Sequence, residues 1–297
     1  MLVALLLPLG LATAVYALVL LRAAFAQRAS PSPEAMALSA ITNFFDTLGI
    51  GCFAPTMAWF KIRRLVPDRL IPCTLITGHT LPAMTESIIF LLLLGVLVDP
   101  VLLVGSILAF LVGGFLGVPL VTRSRVWIIQ SFVGCGLILA AILYALTNLH
   151  LMPGGGTATG LPSPLLAVAI VASFVFGVLL NFGIGNYAPT LAMLSLMGMD
   201  PRLCFPIMAA SAALSMASTS VKYIALGEVN LRIVLGMALG GIPAVLVAAF
   251  IVRSMPIEVL RWMVVVIVLY AAIVMLTAAL AGRAEAYTMR KTASLSY

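Results

Sequence analysis

Nine long apolar runs, at residues 2–21, 34–60, 70–96, 101–121, 126–148, 164–198, 203–226, 230–252 and 257–280, take up most of this 297-residue chain. A run of about 20 apolar residues matches the hydrocarbon thickness of a bilayer. Only 8% of residues are charged, against about a quarter in a water-soluble domain. Lipid must therefore replace water around most of the surface, which excludes a soluble enzyme. The net charge of +7 does not mark a nucleic-acid binder. The basic residues sit in short loops between apolar runs, and there is no basic surface domain to carry such binding. The expected fold is an all-α membrane protein, and the expected task is moving a small solute through the bilayer.

The first run, Leu2 to Leu21, precedes an Ala24-Phe25-Ala26 stretch that resembles a signal-peptidase site. No basic residue comes before it, and its length suits a span, so it reads as a retained transmembrane helix. Cys52, Cys73, Cys135 and Cys204 form no CxxC pair and read as small buried hydrophobes. Cys52 stands apart because it lies inside a glycine-rich break.

That break occurs twice. Gly49-Ile50-Gly51-Cys52-Phe53-Ala54-Pro55-Thr56 recurs as Gly183-Ile184-Gly185-Asn186-Tyr187-Ala188-Pro189-Thr190. The register continues without a gap, Pro67 matching Pro201 and Pro72 matching Pro206. Such persistence indicates duplication. The chain divides into an N-terminal helix and loop (1–33), repeat 1 (34–148), a Gly/Pro-rich linker (149–163), repeat 2 (164–282) and a tail (283–297).

Charge selects the topology. If all nine runs crossed the membrane, the 16 basic residues would divide seven against nine between the two sides. If instead 34–60 and 164–198 enter and leave on one side, about seven full spans remain and the two repeats are inverted. With the N-terminus outside, 13 basic residues then lie inside, among them Lys61, Arg63, Arg64 and Arg69, and only Arg202, Arg253 and Arg261 lie outside. The positive-inside rule prefers this arrangement, with the linker and His150 outside and the C-terminus cytoplasmic. Inverted repeats that each carry a broken, re-entrant helix are the architecture of secondary transporters, with the substrate near the midplane.

The residue types in the break suit an anion. Gly49, Gly51, Gly183 and Gly185 let the chain turn through positive φ and bring bare backbone close to a ligand. The proline that follows fits the first turn of a half-helix, where unsatisfied N–H groups and the helix dipole favour negative charge. Thr56 and Thr190 add hydroxyls, and Asn186 and Tyr187 add side-chain donors. The alternative, glycines that only permit close helix packing, stays open. On the helices that follow, Thr77 and Ser211 occupy matching positions. Thr74, Thr80 and Thr85 join the first of these faces, and Ser215, Ser218 and Lys222 the second. These hydroxyls line a pathway or simply bond back to helix carbonyls. His79, Glu86 and Asp46 are the ionisable residues inside the membrane and so candidates for proton coupling. His79 and Glu86, seven apart, are expected to pair directly or through water.

Two inverted halves, each opening on a G-x-G…P break followed by a Thr/Ser-bearing helix, resemble the sulfite exporter TauE/SafE family of permeases from about residue 36 to 280. In place of the three consecutive glycines of many members, this chain has Gly49-x-Gly51 and Gly183-x-Gly185. The resemblance implies transport of sulfite, sulfonates or related small anions across a bacterial inner membrane. No cofactor or metal is called for. The expected partners are the anion, the bilayer and coupling protons, with a homodimer left open. The competing readings are a passive anion channel and a permease for a non-sulfur organic anion. An intramembrane enzyme lacks a motif, since neither HExxH nor GxSxG is present.

Overall fold

The computed structural model describes residues 2–121, 126–149, 151, 156–180 and 186–294. These residues form helices α1 (Leu2–Ala26), α2 (Pro33–Thr47), α3 (Phe53–Arg63), α4 (Ile71–Leu93), α5 (Pro100–Val121), α6 (Val126–Asn148), α7 (Ser163–Leu180), α8 (Tyr187–Leu196), α9 (Phe205–Ala225), α10 (Leu231–Ser254) and α11 (Ile257–Ser294). Short 3₁₀ turns lead into α4 and α9. No strand occurs among the described residues.

Among the described residues, eight helices are long and apolar enough to cross a membrane: α1, α4, α5, α6, α7, α9, α10 and α11. That is one more than the sequence predicts. The addition is α7, the first limb of run 164–198, whose 18 residues reach a mean hydropathy of 2.4. Its counterpart α2 has 15 residues and buries Ser39, Asn43 and Asp46, so it falls short of that length and character.

Local chemistry sets the helix ends. The Ser32 side chain accepts the Ala35 N–H with Pro33 at the first helical position, and Asn230 caps α10 by accepting from Ile233 N. Between α2 and α3 the chain turns through Gly49 (φ +99°) and Gly51 (φ +88°), values that side-chain-bearing residues rarely adopt.

At the centre lie α4 and α9, 67% and 61% buried along their apolar windows, against 17% for α1 and α7. They pack on each other, with α10 along α4 and α5 along α9. Outside them α2 packs on α10, α7 on α5 and α6 on α11, while α1 leans on α9 and α4. The α5–α7 crossing requires bare backbone, since a Cβ at Gly113 would collide with the Phe174 carbonyl and one at Gly177 with that of Phe110. Gly240 of α10 meets the Met36 carbonyl of α2 in the same way.

Two contacts bring the ends of the broken segments together. Arg63 in the last turn of α3 donates to Glu34 in the first turn of α2 at 2.8 Å, and Trp59 Nε1 donates to the same oxygen at 3.1 Å. Ala158, just before α7, pairs with Met199, just after α8, in an isolated parallel bridge.

Candidate functional site

The first break delivers its residues to the centre of the bundle. Gly51 leaves open space where a Cβ would stand, whereas Gly49 packs against Ile267. Cys52, buried, sits at the N-terminus of α3, where no side chain caps the helix locally. Its N–H donates instead to Asp46 Oδ1 at 2.9 Å, across the turn from the end of α2. A carboxylate of the chain itself thus lies on the half-helix N-terminus, the position that dipole and free donors favour for an anion.

Thr56, one turn further along α3, meets His79 Nε2 at 3.0 Å, and His79 Nδ1 meets Asn43 Oδ1 at 3.1 Å. The Asn43 amide is oriented by its Nδ2, which donates to the Ser39 carbonyl and hydroxyl, and Ser39 in turn donates to the Met237 carbonyl. Asn43 Oδ1 can only accept, so His79 Nδ1 donates to it, while Nε2 pairs with the Thr56 hydroxyl. One ring therefore ties α2, α3 and α4 together.

This corrects the expected His79–Glu86 pair. Seven residues along a helix share a face but stand about 10 Å apart in rise, beyond a direct bond. Glu86, fully buried, instead accepts from Tyr187 Oη at 2.7 Å through Oε1, while Oε2 has no hydrogen-bond partner among the described residues. No ion pair reaches Asp46 or Glu86 among the described residues.

The second break is described from Asn186 onward; Gly183 and Gly185 lie outside the described residues. Asn186 donates through Nδ2 to the Met208 carbonyl at 3.1 Å and accepts the Thr190 hydroxyl at 2.7 Å. Its side chain braces α8 against α9 and does not cap the helix. Tyr187 alone of these residues crosses to repeat 1. On α4, Thr77 donates back to the Cys73 carbonyl at 2.7 Å, and its own carbonyl accepts from Tyr16 of α1 at 2.6 Å. Ser211 is buried, and its carbonyl accepts the Ser215 hydroxyl at 2.8 Å.

Three participants escape the sequence reading: Ser39, Tyr16 and Ser220. The last bonds Thr80 across the α4–α9 contact at 2.7 Å. Ser220 had a signal available, since the register that takes Pro72 to Pro206 takes Glu86 to Ser220. Tyr16 lies outside the repeat and had none.

The eight membrane-length helices among the described residues define a multi-pass membrane protein. Residues 165–296, a little under half of the chain, match the family model described as sulfite exporter TauE/SafE. Over that stretch the chain is similar to the TauE/SafE sulfite exporters, the family that its breaks resemble. Comparison with curated proteins and with solved structures gives no match.

Proposed function

We propose that the chain is a secondary transporter for a small anion, with sulfite, sulfonates and related sulfur-containing anions as the leading class, bound between the two breaks. The observation that carries this reading is the Asp46 carboxylate on the Cys52 N–H at 2.9 Å. It marks the α3 terminus as a seat for negative charge, and open space beside Gly51 adjoins it. An entering anion would compete with Asp46 for that seat.

The proposed topology has α2–α3 re-entrant from the cytoplasm, α7–α8 re-entrant from outside, the N-terminus outside and the C-terminus inside, in a bacterial inner membrane. The Glu34–Arg63 clasp and the Ala158–Met199 bridge support it, because each joins the two ends of one broken segment. The helix pairing fits a duplicated, two-fold arrangement: exchanging repeats turns α2 on α10 into α7 on α5, and α4 along α10 into α9 along α5. Asp46 and Glu86 are the proposed proton carriers. Each offers a buried carboxylate at the breaks, and Glu86 Oε2 is unbonded among the described residues.

The test is flux into proteoliposomes of purified protein with sulfite, sulfoacetate, taurine and sulfate under an imposed pH gradient. Saturable, gradient-driven anion uptake is expected. Gly51→Val should abolish it while the protein still inserts, and Gly185→Val likewise. Cation flux without anion flux overturns the reading, and normal transport by both variants moves the site elsewhere. Anion flux without saturation or proton dependence would indicate a passive channel.

A further inference from the structure

Two hollows lie at opposite ends of α4. One, of about 580 Å³, opens beside Leu70 and is lined by Arg28 and Arg232. The other, of about 310 Å³, opens beside Leu97 and is lined by Arg202 and Arg253. The 23 residues of α4 set the two ends about 35 Å apart, the scale of a bilayer core. The repeat register relates them. The shift that takes Pro67 to Pro201 carries Leu70 to Cys204, next to the Asp200, Arg202 and Leu203 that line the second hollow. The same shift carries Leu97 to Leu231, which lines the first.

The hollow beside Leu97 stands out by its charge. Under the proposed orientation the outer side keeps three basic residues, Arg202, Arg253 and Arg261. Two of the three line this one small space, in company with the hydroxyl-bearing Thr157 and Thr159. Its walls are fixed by backbone bonds: Asp200 N–H to the Ala158 carbonyl at 3.0 Å, Ala158 N–H to Gly198 at 3.2 Å and Asp99 N–H to Thr159 at 2.9 Å. The one acid in the lining, Asp200, is engaged locally, since its Oδ1 accepts the Arg202 N–H at 2.9 Å. The Arg202 guanidinium is anchored by a terminal nitrogen donating to the Met255 carbonyl at 2.6 Å, while its Nε is buried with no partner among the described residues. A guanidinium held in place in the wall of the hollow presents fixed positive charge to an anion there.

We propose that Arg202 and Arg253 form an oxyanion-binding station at this mouth, which takes up the transported anion ahead of the midplane site. The proposal rests on the anion-carrier reading above. Sulfonate or sulfite oxygens would be held by the Arg202 guanidinium in the wall and by the threonine hydroxyls, with Arg253 adding charge at the rim. The phosphate of an anionic lipid headgroup offers the same chemistry, and the test separates the two sources.

The full chain is placed in nanodiscs of phosphatidylcholine alone and treated with phenylglyoxal, with and without inorganic sulfate or methanesulfonate. Arginine adducts are then read by peptide mass spectrometry. The expected result is that either anion protects Arg202 and Arg253 while Arg22 labels unchanged. Arg253→Gln alters an exposed side chain and leaves Arg202 as reporter; it should raise the anion concentration that half-protects Arg202 roughly tenfold. Equal labelling of Arg202 with and without both anions overturns the proposal. So does protection that appears only when phosphatidylglycerol is added, which would assign the hollow to a lipid headgroup. The midplane reading fails separately: Gly51→Val should lose flux yet keep Arg202 protection. Protection in a wild-type protein that moves no anion counts against the carrier and leaves the station standing.

Discussion

At the scale of single residues, the centre of the molecule is organised around two buried acids with different partners. Asp46 caps a half-helix through the Cys52 N–H, and Glu86 receives the Tyr187 hydroxyl from the other repeat. Glu86→Gln keeps the shape and an acceptor for Tyr187 but cannot release a proton. In proteoliposomes it should abolish uptake driven by a pH gradient and retain anion exchange at equal pH. Gradient-driven uptake at the wild-type rate would remove Glu86 from the coupling step. His79 has a different part, since both ring nitrogens are used to join α2 and α3 to α4. His79→Ala strands the buried Thr56 and Asn43 side chains, at about 1–3 kcal/mol for each group left unpaired. A lower Tm in detergent should result, with the pH profile of the remaining flux unchanged; a shifted profile would restore His79 to the coupling candidates. The partner of Glu86 could not be read from the sequence. A spacing of seven reports a shared helix face, whereas Tyr187 arrives from a residue 101 positions away.

At the scale of elements, the first break was the most legible part of the chain. A Gly-x-Gly followed by proline is local chemistry, and Gly49 and Gly51 do adopt positive φ between two helices. The eighth membrane-length helix was not legible, because α7 and α8 share one apolar run, 164–198, that reads as a single re-entrant segment. The clasp between Glu34 and Arg63 makes a prediction about α2–α3. The Arg63 guanidinium holds the exposed Glu34 carboxyl below its ordinary range. Whatever the pair contributes is thus fully present above that ordinary range and lost as pH falls through the lowered value. Single Cys variants at positions 34 and 63 should both react with a membrane-impermeant maleimide from the cytoplasmic side alone. Labelling from opposite sides would make 33–63 a crossing. Helix crossings are equally specific. Gly113→Leu forces a side chain into the Phe174 carbonyl and should cost about 1–3 kcal/mol or more, read as a fall in Tm and in folded yield.

At the scale of the whole molecule, the proposed orientation rests on where 16 basic residues would fall if the broken segments fold back. The four basic residues from Lys61 to Arg69 decide it, because a full crossing at 34–60 would carry them outside. The structure adds a physical reason for them to stay: Arg63 is held at the end where α2 begins, and the same end carries Arg232, whose carbonyl accepts the Ser32 N–H at 3.0 Å. The positive mouth is therefore assembled from the α2–α3 pair together with the start of α10, elements from both repeats. A chain so biased should insert one way only. Green fluorescent protein fused after Tyr297 should fluoresce in the bacterial cytoplasm, and alkaline phosphatase at that position should be inactive. Phosphatase inserted after Gly160, in the linker before α7, should be active. Replacing Lys61, Arg63, Arg64 and Arg69 by Gln leaves nine inside against three outside, so orientation should become mixed without inverting completely. An active phosphatase at the C-terminus of the unmodified chain would place the arginine pair at Arg202 and Arg253 in the cytoplasm and reverse the side on which that station loads.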